Sequence, residues 1–260
     1  MPGYGVDVTA RLDLNADLGE GFGHWTAGDD EGLLAVVSSA NVACGFHAGD
    51  PMIMRRVCEQ AVQRGVAIGA QVSYRDLAGF GRRRIEMPPA ELAADVLYQL
   101  GALDGFARAA GDRVRYLKPH GALYHAAATE AGPASAIVAA VRAWPEPLPL
   151  LTMPGSQLHR QATMAGLPCQ LEAFADRAYL PDCSLQSRRE PGSVLTDLSA
   201  ITERTLQLAK SGSLTAVDGT VLELHPDSLC VHGDTPGALS IARAVRATLE
   251  RAGVEVARFA

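Results

Sequence analysis

The chain has 260 residues, 48% of them hydrophobic, and 20% charged side chains that leave a formal net charge of -6. That length suits one large domain, residues 1–260, with a core the size of a β/α barrel. The acidic balance excludes a nucleic-acid partner, which needs a basic face to neutralise phosphates. No window of about 18 uncharged apolar residues is present to span a bilayer, and no charged leader precedes an apolar run, so a cytoplasmic location is expected. The five cysteines are scattered and never spaced C-x-x-C, which points to reduced, buried fillers rather than disulfides or a cysteine zinc site.

In chain order, Val-, Ile- and Leu-rich runs alternate with segments of helical period, the pattern of repeated β/α units. Strands are predicted at 11–16, 35–44 with its core toward the end, 65–72, 113–119, 148–153, 167–174 and 228–233. Helices are predicted over 50–65, 88–111 and 196–212, each opened by Asp or Pro and closed by Gly. Further helices are expected near 130–143, 155–165 and 236–252. The fold class is therefore α/β, an irregular (β/α) barrel of about seven strands.

Each predicted strand ends in small residues followed by polar ones. Asn15, Asp17 and Glu20 follow the first; His47 and Asp50 the second; Gln71, Ser73, Tyr74 and Asp76 the third. Lys118 and His120 follow the fourth, Glu172, Asp176 and Arg177 the sixth, and His232 and Asp234 the seventh. In a β/α barrel these ends converge on one mouth, where such folds build their sites. Asp50 alone reads first as a helix cap, and a single histidine after a strand is ordinarily a buried core residue; their convergence with His120 and Lys118 makes a shared pocket the stronger reading. The polar stretch 172–192 is too long for a plain connector and reads as a lid or partner surface. Arg82, Arg83 and Arg84 follow Phe80-Gly81, a loop expected to fold over the mouth.

The motifs LNADLGEGFG, NVACGFHAGDP, SYRDLAGFGRR, LKPHGALYH, EAFADRAYL and SLCVHGDTPGA, in this order from residue 12 to about 240, resemble the LamB/YcsF family. The resemblance implies a seven-stranded barrel similar to that of polysaccharide deacetylases. It also implies ATP-dependent opening of 5-oxoproline (pyroglutamate) to L-glutamate, beside two further 5-oxoprolinase subunits, B and C. The chain has no G-x-x-x-x-G-K-[ST] phosphate loop, so the partners are expected to carry much of the ATP step.

Under that resemblance Asp17 or Glu20 would serve as general base, and His47 and His120 would polarise the carbonyl or protonate the leaving nitrogen. Lys118, with Arg177 or Arg83, would hold a carboxylate or phosphate. Asn15, Gln71, Tyr74, Asp176, His232 and Asp234 would complete the substrate contacts. A divalent metal on Asp17, His47 and His120 is an alternative, as in the related deacetylases, although Gln71-Val72 stands where many members carry His-Pro. That option belongs with a second functional reading, a stand-alone metal-dependent deacetylase or amidohydrolase acting on an acylated sugar or amide. A third reading, a non-catalytic scaffold, gives no reason to crowd ionisable groups at every strand end.

Overall fold

Alternation along the first strand, β1 (Arg11–Leu18), sets the architecture. Leu12, Leu14, Ala16 and Leu18 are buried in the main apolar core, whereas Asp13, Asn15 and Asp17 bond to polar side chains of other strands. A strand apolar on one face and polar on the other, yet buried on both, belongs in a closed barrel with helices outside and a polar interior. The computed structural model describes residues 11–233 and 237–260.

After β1 come α1 (Asp30–Leu34), β2 (Ser39–Ala43), α2 (Pro51–Arg64), β3 (Ala67–Val72), α3 (Pro89–Ala109), β4 (Tyr116–Pro119), α4 (Gly121–Thr129), α5 (Ala131–Ala143), β5 (Leu150–Thr152), α6 (Gln157–Met164) and β6 (Cys169–Phe174). Then follow α7 (Leu198–Ser211), the strands β7 (Ser213–Thr215) and β8 (Val221–Glu223), β9 (Ser228–Val231), α8 (Ala238–Arg251) and β10 (Glu255–Val256). Strands β1 to β6 and β9 pair in parallel, and β9 closes on β1 through Asp13↔Ser228 and Asn15↔Cys230. All seven predicted strands and the six predicted helices are present. The structure adds α1, α4, the antiparallel β7–β8 pair and β10, which extends β1 at its start. Each is short or lies against a motif whose polar residues mask its period.

Asp50 accepts from the backbone N–H groups of Met52 (2.8 Å) and Ile53 (2.9 Å), and Gly65 ends α2 in the left-handed conformation. Ile53, Met54, Val57, Cys58 and Ala61 form its buried face. The lower barrel interior is filled by Tyr116, packed on Ala67, Leu151 and Phe259. Gly69 makes room for it, since a Cβ there would sit 2.1 Å from Tyr116 Cζ.

Candidate active site

The polar interior rises from base to mouth in linked layers. At the base, Asp13 accepts from Ser38 (2.7 Å), Ser39 (2.6 Å) and Ser228. Burial still pushes its pKa up to about 6, because three hydroxyl donors do not replace bulk water. One layer higher, Tyr116 donates to Asn41 Oδ1 (2.7 Å), and Asn41 Nδ2 donates to Asn15 Oδ1 (2.7 Å) and Asp17 Oδ1 (2.8 Å). Asn15 and Gln71 are thus interior groups that set their neighbours rather than groups lining the main pocket.

Lys118, projecting from β4, crosses the barrel. Its Nζ lies 2.8 Å from Glu172 Oε2, 3.6 Å from Asp17 Oδ1 and 3.2 Å from Cys230 Sγ. Burial opposes the ammonium charge, but the sulfur and the two carboxylates outweigh it and hold the pKa well above that of an ordinary lysine. Burial likewise opposes the charge on Asp17; Lys118, His232, the Asn41 amide and Arg188 overcome it and keep its pKa below the usual carboxylate value. A dry carboxylate and a dry ammonium therefore face the mouth together, both ionised at neutral pH.

Glu20, His47, Gln71 and His120 form a second buried group. Gln71 Nε2 lies 3.2 Å from Glu20 Oε1, and Gln71 Oε1 lies 3.2 Å from His47 Nε2. A carboxylate only accepts, so the amide nitrogen must face Glu20; the amide oxygen then faces His47, which carries its proton on Nε2. Nδ1 of His47 is thereby an acceptor, and among the described residues neither it nor Nδ1 of His120 has a hydrogen-bond partner. Burial lowers the His47 pKa to about 4, and burial with the charges of His47, Arg82, Lys118 and His232 pushes His120 well below its usual value. Both imidazoles are neutral.

The two rings lie face to face, with centroids 4.1 Å apart and planes 17° from parallel, and Phe80 meets both edge-on. Phe80 sits in the left-handed backbone region, φ 54°, the kind of local strain that marks functional loops. Beside it Gly81 has φ 66°, and a Cβ there would fall 2.5 Å from Ser73 Oγ and 2.9 Å from His120 Nδ1. Only glycine lets this loop close on the imidazole pair.

Among the described residues Glu20, His47 and His120 are the one group of three metal-type donors, their nearest ligand atoms within 4.8 Å of one another. Glu20, not the expected Asp17, joins the two histidines, because Asp17 is engaged by Asn41 and Lys118. As arranged the set does not fit one ion. Imidazole lone pairs lie in the ring planes, and in two stacked, near-parallel rings they run side by side instead of converging.

The main pocket is lined by Asp17, Lys118, His120 and His232 together with Arg82, Arg177 and Arg188. His232 Nδ1 lies 3.0 Å from Asp176 Oδ1 and its ring stacks on Phe174, while burial, then repulsion from Arg188, lowers the Arg177 pKa to about 10. Arg177 also donates to the carbonyls of Ser193 (3.2 Å) and Gln186, bracing the 172–192 stretch over the mouth.

Of the other expected substrate residues, Tyr74 and Arg83 also stand off the pocket. The Tyr74 hydroxyl accepts from Arg84 (2.9 Å) in a separate cleft with Glu130 and Pro133. Arg83 turns outward and pairs with Asp76, so Arg82 takes its expected place in the pocket. Asp50 caps its helix and holds Gly23 N–H (2.8 Å) away from the pocket. Asp234 lies outside the described residues. Tyr124, Phe174 and Arg188 line the pocket without having been singled out for it; only the length of the 172–192 stretch pointed toward Arg188.

A profile of the LamB/YcsF family matches residues 12–260. The chain belongs to the LamB/YcsF family. It is 60% identical over 249 residues to the A subunit of 5-oxoprolinase from Streptomyces avermitilis, covering 96% of this chain and 100% of that protein. The corresponding protein of Mycobacterium avium is 59% identical over 250 residues, covering 96% and 99%. The lactam utilization protein from Thermus thermophilus superposes with a TM-score of 0.91 at 45% identity, covering 96% of this chain and all of that one. In this LamB/YcsF chain the motif LNADLGEGFG supplies Asp17 and Glu20, NVACGFHAGDP supplies His47, and LKPHGALYH supplies Lys118 and His120.

Proposed function

We propose that the pocket opens the lactam ring of 5-oxoproline to L-glutamate, the chain serving as the A subunit of an ATP-dependent 5-oxoprolinase that works with B and C subunits. The observation that carries this reading is the pairing of an ionised, buried Asp17 and Lys118 with a wall of arginines in one small pocket. The relatives' names give the substrate class, and the pocket has the charges such a substrate needs.

A lactam is a resonance-stabilised amide, and water attacks it only after its carbonyl is activated; phosphorylation of the carbonyl oxygen by ATP supplies that. With no phosphate loop in this chain, the nucleotide step falls to the partners. Arg177 and Arg188 hold the ring carboxylate. Asp17 takes a proton from the water that attacks the phosphorylated ring carbon, and the Lys118 ammonium stabilises the charge on the phosphate-bearing oxygen. His120, neutral, lines the pocket beside the ring; the nitrogen takes the proton held by Asp17 as the C–N bond breaks, and a second water releases phosphate from the resulting acyl phosphate to leave glutamate. No step is routed through a metal, because the histidine pair does not converge on one.

The test is glutamate release from 5-oxoproline by the purified chain mixed with candidate B and C subunits, with and without ATP and with each component omitted in turn. Glutamate only from the complete, ATP-supplied mixture is the expected result. No glutamate from folded components, together with ATP-free, partner-free turnover of an acylated sugar or amide, would replace this reading with the deacetylase one.

A further inference from the structure

A second cavity meets the same buried group. Glu20 and His47 line it, with Phe22, Trp25, Leu77 and Phe80, whereas Asp17, Lys118 and His120 do not. The main pocket in turn includes His120 but neither Glu20 nor His47. The stacked imidazoles are therefore shared out, one ring to each cavity.

The two buried polar side chains in this cavity both accept. Glu20 is a carboxylate, and Gln71 fixes the His47 proton on Nε2, which leaves the unpartnered Nδ1 as a lone pair. Around them stand aromatic rings, Phe22 and Trp25 stacked at 6.4 Å and Phe80 edge-on to His47 at 6.0 Å. Buried acceptors walled by aromatic rings, with the exposed Thr26 hydroxyl beside them, favour a hydrogen-bond-donating cation. A metal ion would need converging lone pairs; an ammonium group brings its own three N–H bonds and needs only acceptors around it.

We propose that this cavity is a second ligand site, one that takes the primary ammonium group of a small molecule. Its assignment to a ligand rests on the ring-opening reading: the lactam carries no ammonium, and the ring-opened amino acid carries one. The site recognises the product. Glu20 Oε1 accepts from Gln71 Nε2 and lies 3.6 Å from His120 Nε2, so an ammonium held by Glu20 sits behind the imidazole that lines the main pocket.

Isothermal titration of the purified full-length chain with methylammonium chloride, L-glutamate and N-acetyl-L-glutamate, at matched ionic strength, tests this. Methylammonium and L-glutamate should bind saturably, and the amine-blocked N-acetyl compound should not. Trp25, at 75% exposure, can be changed without disturbing the core, and Trp25→Ala should weaken both amines about three- to fivefold, the worth of one exposed cation–π contact. Absence of saturable methylammonium binding, equal binding of the N-acetyl compound, or amine affinities unmoved by Trp25→Ala would each overturn the site. Glutamate production by the complete mixture is measured alongside. Methylammonium binding without glutamate production keeps the site and overturns its assignment to the product; glutamate production without methylammonium binding overturns the site and leaves the ring-opening reading standing.

Discussion

Lys118 Nζ lies 2.8 Å from Glu172 Oε2 at the centre of a barrel whose interior admits almost no solvent, with both side chains buried. Taking two charges out of water is costly, and the pair holds only because each neutralises the other. Lys118→Met leaves Glu172 and Asp17 as unpaired buried carboxylates. It is expected to cost about 3–5 kcal/mol of stability, seen in urea melts, and to abolish glutamate formation. A variant as stable as the parent would show that the carboxylates do not depend on this ammonium.

Gly81 closes the loop on the imidazole pair, and a side chain there meets His120 and Ser73 inside van der Waals distance. Gly81→Ala should lower activity by about 100-fold or more, the cost of misplacing reacting groups by about 1 Å. Tyr74→Phe, removing a hydroxyl that accepts from Arg84 in a separate cleft, should leave the rate within about twofold. Steady-state glutamate production by the two variants checks the contrast, and a large loss in Tyr74→Phe would bring that cleft back into the site.

Asp13 and His47 make opposite contributions to acid stability. Asp13 titrates from 3.8 in the unfolded chain to about 6 when folded, so its contribution is fullest below pH 4 and is lost as pH rises through 6. His47 titrates from 6.5 to about 4, so the unfolded chain takes up its proton first and stability is lost as pH falls from 6.5 toward 4. Each is on the order of 3 kcal/mol. Between pH 4 and 6 the two offset. Urea melts across that range should show stability rising more steeply with pH in Asp13→Asn than in the parent and less steeply in His47→Asn, because the depressed His120 and His125 keep their share; slopes equal to the parent's in both would contradict the assignment.

Because the stacked rings do not converge on an ion, extensive dialysis against a chelator should leave activity unchanged, and metal analysis of the purified chain should find less than one equivalent. Stoichiometric zinc lost together with activity would mean that one ring turns to bind it.

The barrel was legible in the sequence because buried β/α units impose period and punctuation on the chain, and Asp50 and Gly65 mark the ends of α2 just as capping chemistry requires. The mouth residues Asp17, Lys118, His120, Arg177 and His232 were legible for a related reason: strand ends in this fold point to one place. Three things were not. That Glu20 rather than Asp17 sits with the histidines depends on contacts across the barrel, which leave no spacing in the chain. Arg82 and Arg83 are adjacent, and which of them turns inward is set by the tight turn at Phe80-Gly81 and by Asp76 capturing Arg83. Tyr74 lies only two residues beyond β3, yet its ring is buried in the apolar core and its hydroxyl meets Arg84 rather than the pocket.

The two halves of the pocket have separate origins in the chain. Asp17, Lys118 and His120 come from β1, β4 and the short turns after them, whereas Arg177, Leu185 and Arg188 belong to the single excursion, residues 175–227, between the neighbouring strands β6 and β9. Proton handling and anion selection can therefore diverge independently. A lineage could exchange the excursion and accept a differently charged ring while its reaction chemistry stayed in place.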